Sequence, residues 1–142
     1  IEFDIAGEIT PGWKVIASYG YIDAFVSKDT TGLEGRRREN IPEHAASLWT
    51  TYELQKGSLQ GLGFGLGLFF VGDRFGDLDN SYVLPSYVRT DAALYYKRDN
   101  WRAALNIRNL FDKTYFIGSE GSRLGVYYGE PLTIIGSFAV EF

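Results

Sequence analysis

The chain has 142 residues, the size of one ordinary domain, and its 14 basic and 18 acidic residues give a formal net charge of -4. This acidic balance argues against nucleic acid as a partner, and the absence of cysteine excludes disulfides and thiolate metal sites. Aromatic residues make up 16% of the chain and glycine occupies 17 positions, a composition typical of β-barrels.

Alternation of apolar residues predicts seven strands and no helix of useful length. The predicted strands are residues 1–8, 13–26, 44–54, 62–70, 86–97, 101–110 and 132–142. Tight turns are predicted at Thr10-Pro11-Gly12 and at Arg98-Asp99-Asn100, because proline, glycine, aspartate and asparagine suit turn geometry. Longer polar connections are predicted at 27–43, 76–85 and 111–130. The fold class is therefore predicted to be all-β, with antiparallel strands.

The fourth strand has the clearest pattern of the seven. Leu62, Phe64, Leu66, Leu68 and Phe70 alternate with three glycines and Phe69. Such a strand suits a sheet whose one face contacts lipid and whose other face is crowded by neighbouring groups or sharply curved. It does not suit the core of a soluble sandwich.

Short and long connections alternate along the chain, as they do in outer-membrane barrels with periplasmic turns and extracellular loops. Aromatic residues near the short turns predict an interfacial girdle. Its predicted members are Trp13, Tyr52, Tyr95, Tyr96, Trp101 and Phe142. Complete bacterial barrels have an even strand number and both termini in the periplasm. Seven strands therefore predict a C-terminal piece of a larger barrel, cut within an extracellular loop.

Five segments resemble the C-terminal part of TonB-dependent ferric-siderophore receptors, and together they span most of the chain. They are G-L-E-G-R-R-R-E-N-I-P-E-H-A-A-S-L-W (32–49), V-G-D-R-F-G-D (71–77), L-P-S-Y-V-R-T-D-A-A (84–93), N-I-R-N-L-F-D-K-T-Y-F (106–116) and G-E-P-L-T-I-I-G-S-F-A-V-E-F (129–142). The Asn109-Leu110-Phe111-Asp112 run with Tyr115, combined with the terminal strand, is the most specific of these features.

The resemblance implies a 22-stranded outer-membrane barrel closed by an N-terminal plug. Such a receptor binds a ferric siderophore outside the cell and imports it with energy passed on by the TonB complex. The plug and the energy-coupling segment are missing from this chain, so transport by these residues alone is not expected. The implied partners are a ferric siderophore, outer-membrane lipid, TonB through the missing N-terminal part, and the barrel-assembly machinery. No cofactor is implied.

Candidate ligand contacts are aromatic and arginine side chains in the long loops, because a neutral or anionic ferric chelate needs stacking surface and guanidinium donors. These candidates are Tyr82, Tyr115, Phe116, Arg123, Tyr127 and Tyr128. The alternative is that these side chains pack the loops on each other or contact lipopolysaccharide. The arginines at 36–38 are expected to pair with Glu34, Glu39 and Glu43 rather than to steer an anion.

Strands five and six are predicted to direct a polar network into the lumen. Its members are Arg89, Asp91, Arg102, Asn106 and Arg108. The expected cross-strand partners are Asp91 with Asn106 and Arg89 with Arg108. The network could face a plug or be a purely structural ladder, and the structural role is favoured.

The terminal strand carries Phe138, Val140 and Phe142, which the resemblance implies to be the signal read by the barrel-assembly machinery. Enzymatic activity is not expected, since the single histidine, His44, could be combined with Ser47 or Ser27 only by chance. A small structural or adhesive outer-membrane barrel and a soluble ligand-binding barrel remain as alternatives.

Overall fold

The computed structural model describes all residues, 1–142, and consists of strands and their connections. The strands are β1 (Glu2–Thr10), β2 (Trp13–Tyr21), β3 (His44–Glu53), β4 (Leu62–Val71), β5 (Arg74–Phe75), β6 (Val83–Leu84), β7 (Tyr87–Arg98), β8 (Trp101–Arg108), β9 (Phe116–Ser119), β10 (Val126–Tyr128) and β11 (Thr133–Val140). None of its segments is a helix long and apolar enough to cross a membrane.

Seven of these strands form one antiparallel sheet in the order β1-β2-β3-β4-β7-β8-β11. The other four form two hairpins, β5–β6 and β9–β10. The predicted all-β fold with seven antiparallel strands is confirmed. β1 and β11 are the edges of the sheet, and each has a neighbour on one side only.

Connections at the two ends of the sheet differ in length, as the sequence predicts. One end carries the short connections 11–12, 54–61 and 99–100, and we call it the short-turn end. The opposite end carries the first, second and third long connections, residues 22–43, 72–86 and 109–132. Gly12 (φ 86°) and Asp99 (φ 51°) adopt the left-handed backbone conformation that lets the chain reverse within two residues.

The two faces of the sheet have different chemistry. Cross-strand partners such as Leu48 with Leu68 and Phe64 with Leu94 place large apolar side chains on one side, which we call the apolar face. Leu66 there is 46% exposed, so these side chains have no protein partner above them. The other side, here called the mixed face, carries charged residues, glycines and a few aromatic rings.

The glycines of β4 are covered on the mixed face by rings from the neighbouring strands. Trp49 lies over Gly65 and Gly67, where an added Cβ at Gly65 would come 2.8 Å from Trp49 Cζ2. The ring of Tyr95 occupies the space that a side chain at Gly63 would need. The predicted crowding of this face is confirmed, and the crowding groups are side chains of the same sheet.

The second strand is shorter than predicted, ending at Tyr21 rather than Val26. Its partner β3 begins at His44, so the ladder has no further residues beyond the bond from Ile22 N–H to Glu43 O. Residues 24–26 turn instead to residues 36–38 of the same connection, through the bridge between Phe25 and Arg37.

Two predicted loops also contain regular structure. Residues 76–85 include part of the β5–β6 hairpin, and residues 111–130 include the whole β9–β10 hairpin. Strands of two to four residues are too short to show an alternating pattern, which is why the sequence did not reveal them.

The predicted register between the fifth and sixth strands is wrong by two residues. The turn consists of Asp99 and Asn100, so Arg98 pairs with Trp101 and Asn106 lies opposite Ala93 rather than Asp91. A shift of two residues keeps every side chain on its predicted face, because side chains alternate with a period of two.

Four of the predicted girdle residues lie on the apolar face near the short-turn end. Trp13 pairs with Tyr52 and donates from Nε1 to Thr50 Oγ1 at 2.8 Å, while Trp101 packs edge-on against Tyr96 with ring centroids 5.4 Å apart. Tyr95 was predicted to belong with them. Tyr95 lies on the mixed face instead, because it is adjacent to Tyr96 in β7 and successive side chains of a strand point to opposite faces. Its ring lies over Gly63.

Candidate ligand-binding site

The candidate ligand site is built on the third long connection, whose base is closed by a buried asparagine. Asn109 is 1% exposed and has φ 50°. Its side-chain amide donates to Lys113 O and Glu130 O at 3.0 and 2.9 Å and accepts from Lys113 N–H at 2.9 Å. Asp112 Oδ1 accepts from Leu132 N–H at 2.9 Å. These bonds join the beginning and the end of the connection.

The β9–β10 hairpin projects from this base and brings three predicted ligand residues together. Tyr127 pairs with Gly118 and Tyr128 pairs with Phe116, because the register shifts between the two tyrosines. Phe116 and Tyr128 are thus cross-strand partners whose rings meet, and Tyr127 is the neighbouring residue of β10. We call these three side chains, Phe116, Tyr127 and Tyr128, the aromatic face.

The aromatic face is accessible and partly ordered by its own contacts. Tyr128 is 66% exposed and its ring lies 5.1 Å from that of Phe116. The Tyr127 hydroxyl donates to a carboxylate oxygen of Glu120. That hydrogen bond, together with the negative charge of Glu120, holds the pKa of the Tyr127 phenol above its ordinary value.

Tyr82 and Arg123 form a second group beside the hairpin. The Arg123 guanidinium lies 5.5 Å from the centroid of the Tyr82 ring, and its Nη2 donates to Ser81 O at 3.2 Å. Tyr82 donates from its hydroxyl to Gly76 O at 3.0 Å and contacts the Ser119 hydroxyl. These two residues connect the β5–β6 hairpin to the β9–β10 hairpin.

Tyr115 is removed from the set of accessible ligand candidates by its burial. It is 5% exposed, and its ring packs 4.4 Å from that of Tyr87 and over Gly129. A ring held between a strand and the loop backbone stabilises the connection rather than offering a surface. For Tyr115, this burial favours the alternative of loop packing.

Arg74 is a buried cation with no acidic partner. It is 4% exposed, and its Nη2 donates to Phe116 O at 2.6 Å while its guanidinium lies 5.8 Å from the Tyr87 ring centroid. Burial lowers the pKa of the Arg74 guanidinium from its ordinary value. The contact joins β5 to β9 directly.

The predicted lumenal polar network is divided into separate parts on the mixed face. Arg89 donates to Asp91 at 3.0 Å and lies 4.6 Å from the centroid of the Phe69 ring. Asp91 accepts from the Asn109 backbone N–H at 2.9 Å. Arg108 forms an exposed ion pair with Glu130 at 3.3 Å. The side chains of Arg102 and Asn106 lie on the same face and join neither group.

The arginine cluster of the first long connection is paired mainly as predicted. Arg37 bridges Glu43 at 2.7 Å and Asp23 at 3.3 Å, and Arg38 lies 3.8 Å from Glu39. Arg36 donates instead to Asp79 O at 2.6 Å in the second long connection. The predicted pairing with Glu34 is absent.

The geometry separates the residues that could have been combined for catalysis. His44 lies on the apolar face and its Nδ1 is hydrogen-bonded to the Tyr19 hydroxyl at 2.8 Å. Ser47 lies on the mixed face, where its hydroxyl is bonded to Ser18 at 2.7 Å. The structure has no group of three or more histidine, aspartate and glutamate residues that could hold a metal ion.

Two of the predicted assembly residues, Phe138 and Val140, lie on the apolar face of the terminal strand. Phe138 pairs with Ala103 and Val140 pairs with Trp101, and Phe142 follows beyond the ladder. Phe138 is 68% exposed on this edge strand.

Asn40 and Asn80 are functional candidates that the sequence did not single out. Both have a positive φ, and both direct a side-chain amide at the backbone of another long connection. Asparagine tolerates the left-handed conformation better than most residues, which is the one sequence signal these positions carry. Their long-range partners have no sequence signal.

Comparison with known proteins identifies relatives across the whole chain. A family profile described as "TonB dependent receptor-like, beta-barrel" matches residues 1–110. The metal-pseudopaline receptor CntO of Pseudomonas aeruginosa is 34% identical over 143 aligned positions, covering 99% of this chain and 20% of that protein. The ferrichrome outer membrane transporter/phage receptor of Escherichia coli is 31% identical, covering 100% of this chain and 19% of its own length.

Solved structures of siderophore receptors also match this chain. The crystal structure of the siderophore receptor PiuA from Acinetobacter baumannii superposes with a TM-score of 0.82 at 32% identity, covering 96% of this chain and 20% of that one. The chain thus spans about one fifth of the length of the proteins it matches.

Proposed function

Because the chain belongs to the TonB-dependent receptor β-barrel family, we propose that it is part of a receptor that imports iron–siderophore complexes with energy supplied through TonB. The chain is located in the outer membrane of Gram-negative bacteria, as its family is. No catalytic role belongs to this proposal, since the relatives are receptors and transporters.

The observation that carries the proposal is the difference between the two faces of the sheet. A lipid-facing surface must be largely apolar, and the apolar face carries large apolar side chains on all seven strands. The mixed face, with Arg89, Asp91 and Arg102, suits a polar lumen. A soluble barrel would have the opposite arrangement, with its apolar side chains inside.

The chain is proposed to form the C-terminal strands of the receptor barrel, with the plug contributed by another part of the protein. The open edges of β1 and β11 support this arrangement, because unpaired backbone groups are not tolerated in the hydrocarbon region. In the complete barrel each edge would pair with a further strand. Contact with TonB would belong to the part outside this chain.

The aromatic face and Arg123 are proposed to contact the ferric siderophore from the extracellular loops. In a ferric siderophore the iron is already coordinated by the chelator, so the receptor has to recognise the organic ligand and its charge. Stacking on Phe116, Tyr127 and Tyr128 and donation from a guanidinium provide this recognition without protein ligands to iron.

The outward side chains of β11 are proposed to serve assembly. Phe138, Val140 and Phe142 form an apolar row at the end of the chain, on a strand whose other edge is open. A terminal strand with an open edge and an outward row of apolar side chains can be recognised by the barrel-assembly machinery before the barrel closes.

A binding experiment with the complete receptor tests the ligand role. Tyr128→Ala removes the most exposed ring of the aromatic face and is expected to weaken binding of the cognate ferric siderophore by about tenfold, the value of one well-stacked aromatic contact. Ferrichrome and a ferric catecholate serve as probes, and affinity is measured by fluorescence quenching. Phe111→Ala is the matched control, because Phe111 is 75% exposed and lies outside the aromatic face.

The two variants separate the possible outcomes. Weaker binding by Tyr128→Ala with wild-type binding by Phe111→Ala supports the site. Equal affinity of both variants would remove the aromatic face from the ligand site. Absence of binding by the wild-type receptor to every ferric chelate would contradict the proposed function itself.

A further inference from the structure

We propose that Asn40 is a positioning residue that holds the β9–β10 hairpin, and with it the aromatic face, from a different long connection. The structural part of this proposal concerns contacts within the chain. Its consequence for ligand affinity rests on the proposed function. Asn40 lies in the first long connection, 79 residues from its main partner in the sequence.

The side-chain amide of Asn40 pairs with both backbone groups of Ser119. Nδ2 donates to Ser119 O at 2.8 Å, and Oδ1 accepts from Ser119 N–H at 2.8 Å. This is the pattern by which a neighbouring strand residue would bind, so the amide acts as a one-residue extension of the sheet beside β9. Asn40 Oδ1 also lies 3.5 Å from the space where a Cβ of Gly118 would stand.

The backbone of Asn40 makes a second connection. Its N–H donates to Phe75 O on β5 at 2.8 Å, so one residue links β5 to β9. Its φ of 62° lies in the left-handed region, where asparagine is the most readily accepted residue after glycine. Only asparagine combines this backbone conformation with both a donor and an acceptor at that reach.

Asn80 repeats the arrangement in the opposite direction. It has φ 55°, its Oδ1 accepts from Arg37 N–H at 2.8 Å, and its Nδ2 donates to Arg37 O at 2.8 Å. Arg37 is three residues from Asn40, so the first long connection is fixed to the second on both sides of this segment. Asn40 is therefore held in place by contacts with the second long connection, and its side chain fixes the hairpin relative to that connection.

The link from Asn40 to the aromatic face is short. Ser119 follows Gly118, and Gly118 is the cross-strand partner of Tyr127. Phe116 lies two residues before Gly118 in β9, and its carbonyl accepts a hydrogen bond from Arg74. Loss of the Asn40 amide would release the outer half of the hairpin while Asn109 continues to hold its base.

The test uses Asn40→Gly in the complete receptor. Glycine retains the left-handed backbone without strain and removes both side-chain bonds, so the substitution isolates the amide. Hydrogen exchange of the 116–119 amides is followed by mass spectrometry, and affinity is measured for whichever of ferrichrome and a ferric catecholate the wild type binds more tightly. The matched control is Asn100→Gly, because Asn100 donates to Glu141 O at the short-turn end, far from the hairpin.

The expected result is exchange about tenfold faster at 116–119 and an affinity about tenfold weaker for Asn40→Gly, as the loss of two hydrogen bonds implies. Heat-modifiable mobility of the barrel on gels should be unchanged, since the strands of the main sheet do not depend on Asn40. The Asn100→Gly control should resemble the wild type in both exchange and affinity.

Four other results are informative. Unchanged exchange at 116–119 would overturn the proposal, and so would faster exchange with unchanged affinity, because the hairpin would then be loosened without consequence for the ligand. Faster exchange in a wild-type background that binds no ferric chelate would support the Asn40 contact while contradicting the proposed function. A change in barrel mobility would assign Asn40 to general stability and overturn its positioning role.

Discussion

Asn109 shows how much of the loop architecture depends on a single polar side chain. Its amide satisfies three backbone groups, and its own N–H donates to Asp91 in β7. Asn109 itself is 1% exposed, and its three side-chain bonds are part-buried. A partly buried backbone group that loses its partner costs more than an exposed one, so the loss of this side chain would be appreciable.

We expect Asn109→Ala to lower the free energy of unfolding by about 2–4 kcal/mol, because it removes three part-buried hydrogen bonds to the backbone and places alanine at a positive φ. Urea unfolding in detergent micelles, followed by tryptophan fluorescence, measures the change. The control Asn100→Ala removes one exposed hydrogen bond and should cost less than about 1 kcal/mol. Equal effects of the two variants would show that burial of Asn109 has no energetic importance.

For single residues, the sequence predicts which side chains are accessible better than it predicts the partners of buried polar side chains. Tyr127 and Tyr128 were predicted as loop aromatics and are accessible side by side. Tyr115 belongs to the same run of aromatics but is buried, and no local pattern distinguishes it. Asn40 and Asn80 bind partners more than 40 residues away, so their roles depend on how the loops pack against each other.

At the scale of the element, β4 illustrates how neighbouring strands fit together. Its glycines leave room on the mixed face for Trp49 from β3 and Tyr95 from β7. The large rings thus replace the missing side chains, and the sheet retains its packing density on that face. The alternation that identifies the strand in the sequence also determines which side its neighbours must fill.

We expect Gly63→Ala to destabilise the barrel by about 1–3 kcal/mol, because the new methyl group would occupy the space of the Tyr95 ring. In a Tyr95→Ala background the same substitution should change stability by less than about 0.5 kcal/mol. Both values come from urea unfolding. Gly136→Ala is the control, since a Cβ there meets no atom within 4 Å. Additive effects in the double variant would refute the direct contact.

Elements of eight residues or more show several periods of alternation, and their bounds were predicted to within about two residues, except for the end of β2. The hairpins β5–β6 and β9–β10 were missed, since their stability comes from Arg74, Tyr82 and Asn40 rather than from their own pattern. The candidate site stands on one of these hairpins. Its residues could therefore be named from the sequence, whereas their arrangement on the hairpin could not.

At the scale of the whole molecule, the separation of an apolar face from a mixed face is the property that relates fold to function. The register error between β7 and β8 did not affect it, because a shift of two residues preserves the facing of every side chain. The faces, the strand order and the alternation of connections were all predictable for this reason. The interlocked long connections were not, since contacts between loops leave no period in the sequence.

Lipid exposure of the two faces tests the central claim most directly. The chain contains no cysteine, so Leu66→Cys on the apolar face and Ser47→Cys on the mixed face each provide a single labelling site within it. Each variant of the complete receptor is labelled with an environment-sensitive fluorophore and reconstituted with brominated lipids. We predict strong quenching at position 66 and little at position 47. Equal quenching at both positions, or stronger quenching at position 47, would contradict the assignment of this sheet to a membrane barrel.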